Sequence, residues 1–137
     1  MDRVEILYPM FTMVSLALIV TYRLFFINYF AVKRRDIRFS FYKLFTGDNV
    51  PDYIQAGRMH YQNMFQIPVL FYLLCMFLYF SNNVTSLDVF LAWVFVGFRF
   101  GHFLIRLLAY DRVMLRFRLF SGSVIILTIH WILAMLK

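Results

Sequence analysis

Arg99, His102 and Arg106 interrupt an otherwise apolar and aromatic run from Leu87 to Tyr110. On an α-helix, at 100° per residue, Arg99, Arg106 and Tyr110 fall within about 40° of one another, with His102 about 60° off that line. The four form one polar stripe, ~16 Å long at 1.5 Å per residue. In an earlier run Asn63 and Gln66 stand at i and i+3, with His60 one turn before them, making a second polar face at similar depth. Taken singly, His60, Asn63 or Gln66 need be no more than interhelical hydrogen-bonding groups. The arginine stripe asks for more. A charge deep in a membrane span costs at least ~2.5–3.5 kcal/mol, and snorkelling does not easily serve Arg99 from the bilayer middle. No acidic residue is expected inside a span, because all seven Asp and Glu are terminal or near loops. A buried cationic stripe without an internal counter-ion calls for an anionic ligand.

The same inventory excludes other chemistries. A proton or cation pathway uses intramembrane carboxylates. His60, His102 and His130 sit on three different helices without a spaced cysteine or carboxylate cluster, so no metal site is expected. There is no serine–histidine–acid set for nucleophilic catalysis, and the reactive group is expected to arrive with the ligand. His130 reads as a packing histidine. Cys75, the single cysteine, has only apolar neighbours and reads the same way.

Positioning these residues falls to helices in lipid. Of 137 residues, 63% are hydrophobic and 15% charged, with a mean hydropathy of +0.72; soluble domains run at roughly 45–50% apolar and about 25% charged. Four apolar stretches, expected over about 6–30, 53–80, 87–110 and 117–136, are each long enough for one crossing. The expected fold is a single all-α, four-helix transmembrane bundle with no extramembrane domain. Pro51 and Asp52 suit a helix start, Pro68 predicts a bend, and Thr46, Gly47 and Asp48 read as turn residues.

The net charge of +7 is concentrated in loops. Lys33, Arg34, Arg35, Arg38 and Lys43 fall in the first loop, and Arg112, Arg116 and Arg118 in or beside the third. Arg3 and Lys137 are the only basic residues on the other side. The positive-inside rule therefore places loops one and three in the cytoplasm and both termini opposite. With no basic and aromatic surface outside lipid, nucleic acid is not an expected partner.

The stretch Gly57-Arg-Met-His-Tyr-Gln-Asn-Met-Phe-Gln-Ile-Pro-Val-Leu-Phe-Tyr72, followed by Phe98-Arg-Phe-Gly-His102 and Tyr110-Asp-Arg-Val-Met-Leu-Arg116-Phe, resembles the MAPEG family, membrane-associated proteins in eicosanoid and glutathione metabolism. The likeness is nearest to its bacterial branch and runs from about Val32 to the C-terminus. It implies a bacterial inner-membrane homotrimer with glutathione as co-substrate, bound between subunits near the cytoplasmic face. By resemblance, Asn63, Arg99 and His102 would contact glutathione, and Arg116, with Arg112 as the other candidate, would activate its thiol. Arg58 resembles the arginine preceding the family's asparagine, and Arg38 would contact a glutathione carboxylate.

The sequence departs from the family pattern at three positions. Gln66 stands in place of the glutamate that pairs with the glutathione amine. Arg106 replaces a tyrosine one turn after His102, and Phe120 stands where some members have another. Arg106, with Tyr110, would shape the anion pocket. The implied activity is glutathione conjugation or peroxide reduction: a thiol of pKa ~8.5 is a few per cent thiolate at neutral pH, and a cation at contact raises that fraction. A hydrophobic second substrate would enter from the lipid, along walls supplied by 18 Phe and 9 Tyr. The alternative is a non-catalytic trimer of the same fold that binds a lipid headgroup or a membrane partner. An anion channel finds no inverted repeat to support it.

Overall fold

The computed structural model describes residues 2–45, 49–109 and 111–137. Among these all the regular structure is helix: a 3-10 turn Arg3–Ile6, α1 Leu7–Lys33, a short α2 Phe41–Leu44, α3 Asp52–Ser81, α4 Ser86–Leu108 and α5 Val113–Met135. The four long helices are each long and apolar enough to cross a membrane, which defines an integral multi-pass membrane protein. At 1.5 Å per residue, α4 and α5 are ~35 Å long and match a hydrocarbon core of ~30 Å. The 27 residues of α1 and the 30 of α3 are longer than that core requires.

Two helix boundaries differ from expectation. α1 continues to Lys33, because lysine is a good helix former and a cation is favourable at a helix C-terminus. α5 begins at Val113 rather than near 117, so Arg116 and Arg118 are helical residues. Pro68 lies inside α3 without interrupting it; the bond it cannot donate leaves the Met64 carbonyl without its helical partner. Thr46, Gly47 and Asp48, expected as a turn, lie outside the described residues.

The chain forms two compact units, one of Ala17–Phe65 and one of the chain up to Leu16 with Gln66–Lys137. In the first, Ala31, Ile37, Phe41 and Ile54 form a buried cluster, with Ile27, Val32, Tyr42 and Val50 packed around it. A Cβ on Gly57 would lie 3.1 Å from Ile27 Cδ1, so α1 and α3 approach closely there. α1 stops in a Schellman motif: Asp36 N–H donates to Ala31 O, Arg35 N–H donates to Val32 O, both at 3.0 Å, and Arg35 itself is left-handed at φ 60°.

In the second unit, α4 buries Leu91, Ala92, Phe95, Val96, Arg99, His102 and Phe103, and α5 buries Ser123, Leu127, His130 and Ala134. Those spacings of three and four make matching stripes. Phe71 of α3 stacks on Phe95 with ring centroids 4.4 Å apart, and Trp131 Nε1 donates to Leu70 O at 3.3 Å.

One expectation is overturned. Asp88 lies in the first turn of α4 and is buried. Its carboxylate accepts from Thr85 N–H and Thr85 Oγ1, both at 2.7 Å, and pairs with Lys137 and with His130 Nε2 at 3.4 Å. A capping carboxylate one turn inside a helix is shielded when a neighbouring helix end covers it. Here α5 and Lys137 do so, and His130 packs against a charge rather than in a purely apolar setting.

Candidate functional site

α4 is the most one-sided of the long helices, and its buried face is the one that holds the arginine stripe. Arg99 is fully buried, with its guanidinium carbon 5.6 Å from the centroid of Phe95 and 5.3 Å from that of Phe120 on α5. Aromatic faces are favourable for a guanidinium withdrawn from water. His102, also buried, lies one turn on, its ring 6.2 Å from Phe120. The charges of Arg99, Arg106 and Arg116 all reach His102.

The structure thus brings Arg99, His102, Arg106 and Arg116 together in one unit from two helices. Arg116 enters from the first turn of α5, where its N–H donates to Arg112 O at 3.1 Å. Helix N-termini are electropositive, so the backbone adds to the side-chain charge. Arg112 sits at the N-cap position of α5 and is exposed. α4 ends at Leu108; Tyr110, the fourth member of the expected stripe, lies outside the described residues.

Gln66 belongs to the same unit and is exposed. Arg38, Arg58 and Asn63 belong to the other unit. There Arg38 is exposed, Asn63 is half-buried, and the half-buried Arg58 lies 4.0 Å over the Phe45 ring. Arg58 lines a cavity of 260 Å³ with Tyr42, Phe45, Tyr61 and Gln62. Burial raises the Tyr42 phenol above its usual value, with the Arg58 charge acting in the opposite direction, and its hydroxyl donates to Asn28 Oδ1 at 3.1 Å.

Sequence reasoning missed Tyr72. Its hydroxyl is buried, makes no hydrogen bond among the described residues, and lies within reach of the Arg99 charge. No periodicity points to it, because position 72 is about 180° around α3 from Asn63 and about 120° from Gln66. The sequence marks Phe120 only as a departure from a family tyrosine and does not mark Phe95 at all, so neither reads there as a ring flanking Arg99.

Four membrane-length helices, with Arg99 buried against the rings of Phe95 and Phe120, define an all-α integral membrane protein. The sequence matches the MAPEG family over residues 7–136, nearly the whole chain, and this protein belongs to that family. No curated protein and no solved structure matches it.

Proposed function

We propose that this protein is a glutathione-dependent transferase or peroxidase of the membrane, in which the α4–α5 cations hold the glutathione thiol as thiolate. The observation that supports this reading is the convergence of Arg99, Arg106 and Arg116 on His102. Like charges gathered in an apolar setting repel one another, and an anion entering among them relieves that repulsion. The donor set suits glutathione: guanidinium groups bind carboxylates in bidentate fashion and stabilise a thiolate. The glutathione ammonium would meet the neutral carboxamide of Gln66, a weaker acceptor than a carboxylate.

Arg116 is the residue we assign to the sulfur, with Arg112 the other candidate. We assign Arg99, His102 and Arg106 to the same anion; by family resemblance Tyr110 joins them, and Arg38, Arg58 and Asn63 are the candidates for the peptide's polar ends. The reading includes a homotrimer whose neighbouring chains complete the site, loops one and three in the cytoplasm, and a bacterial inner membrane. In conjugation the thiol proton passes to water and the sulfur forms a bond to an electrophilic carbon as the leaving group departs. With a hydroperoxide the sulfur attacks oxygen and the O–O bond breaks, leaving an alcohol and a sulfenic acid; a second glutathione converts the latter to disulfide and water.

Glutathione added to the purified protein at neutral pH should raise its ultraviolet thiolate absorbance. Arg116→Ala should cut the thiolate fraction about tenfold, the effect of one pKa unit. No thiolate signal in the wild type would remove the mechanism.

A further inference from the structure

We propose that the junction of α1 with the first loop is a binding site for an anionic phospholipid. This site lies wholly within the Ala17–Phe65 unit and is independent of the glutathione reading. A groove of 620 Å³ lies there, lined by the aromatic rings of Phe25, Tyr29 and Phe39 and by the polar side chains of Asn28, Lys33 and Tyr42. At ~40 Å, α1 is longer than the hydrocarbon core, and the end that carries Lys33, followed by Arg34 and Arg35, is the one that charge draws to the headgroup level. Lys33 therefore sits where a lipid phosphate sits, and Phe25, two turns earlier, lies at the depth of an acyl chain.

The segment beyond the helix has the same two-sided chemistry. Lys33, Arg34, Arg35, Arg38 and Lys43 are all exposed, and the one acid among them, Asp36, already accepts a hydrogen bond from Tyr53 at 2.6 Å. Interleaved with these cations, Phe39 is 77% exposed and Leu44 79%. Large apolar side chains so open to solvent are unfavourable in water. They are favourable where a basic, aromatic segment lies in a membrane interface with its rings among the acyl chains. Basic clusters just cytoplasmic of a transmembrane helix attract anionic lipid, each cation adding roughly fivefold to affinity.

Charge selects the occupant. The rim presents five exposed cations for a phosphodiester against one acid, Asp36, whose carboxylate is engaged by Tyr53, so phosphatidylglycerol should be preferred to phosphatidylcholine. A second copy of this segment would bring the same positive charge against it and be repelled.

The test is native mass spectrometry of the detergent-solubilised full chain, titrated with an equimolar mixture of dioleoyl phosphatidylglycerol and dioleoyl phosphatidylcholine. Phosphatidylglycerol adducts should exceed phosphatidylcholine adducts by fivefold or more. Lys33→Gln and, independently, Lys43→Gln should each reduce the phosphatidylglycerol adducts several-fold and leave the phosphatidylcholine adducts unchanged. Phe39→Ser should weaken both lipids. Equal adducts of the two lipids would overturn the proposal. So would phosphatidylglycerol lost in Arg106→Gln but kept in Lys33→Gln, which would place the lipid on the α4–α5 cations. Exclusion of lipid by self-association that Phe39→Ser releases would also overturn it, giving the groove to a second copy.

Discussion

Arg99 separates a functional from a structural account of the site, because the two predict opposite behaviour for one substitution. Its guanidinium is fully buried between two aromatic rings. Burying a charge costs several kcal/mol after relaxation, and replacing buried ionic groups by apolar side chains of similar volume is often neutral or stabilising. Methionine has much the same length and packs well against aromatic rings. If the charge is kept for a ligand, Arg99→Met should melt at the same temperature as wild type or higher, and should bind glutathione at least tenfold more weakly by calorimetry. A melting temperature several degrees lower, with glutathione affinity intact, would make Arg99 a structural residue. The stripe itself was legible because a charge in an apolar run stands out and helical period fixes its angular position. Tyr72 was not, since a tyrosine in an apolar run looks like one more wall residue. Asp88 was misread because its position near a turn says nothing of the α5 end that covers it.

At the scale of elements, long apolar runs made the number and order of the four spans legible, and their ends were less so. Basic residues were taken as loop, yet Lys33 closes α1 and Arg116 lies inside α5. In both cases the charge is compatible with a helix, and an aliphatic stem can cover neighbouring apolar surface. The stop of α1 was also hidden. Its Schellman motif places Arg35 in the left-handed region at φ 60°, where glycine is usual and an L side chain costs roughly 1–2 kcal/mol. Arg35→Gly should remove that strain. After the extra freedom glycine has in the unfolded chain, about 0.5–1 kcal/mol, a net gain of about 0.5–1 kcal/mol should remain. Thermal melting in detergent should read this as a rise of a few degrees. A fall would show that the Arg35 side chain contributes more to the loop than its backbone costs.

For the whole molecule the deciding quantity is where charge sits relative to lipid, and orientation can be tested without any ligand. The first loop exposes five cations between Lys33 and Lys43, and Arg112 and Arg118 stand exposed beside the third turn. At the other end Arg3 bonds Asn82 and lies over Tyr79, while Lys137 is engaged by Asp88. Cations in short loops next to span ends resist translocation, and an asymmetry this large should hold the first and third loops in the cytoplasm. Cys75 is buried in α3, so a Cys75→Ser background should fold as wild type and offer no thiol of its own. In that background Ser40→Cys, in the first loop, should react with a membrane-impermeant maleimide only after permeabilisation, whereas Asn83→Cys, in the turn before α4, should react in intact cells. The reverse pattern would put the basic loops outside. The cationic cluster beside Arg112 would then face away from the cytoplasmic glutathione pool, and the transferase reading would lose its substrate while the family fold remained.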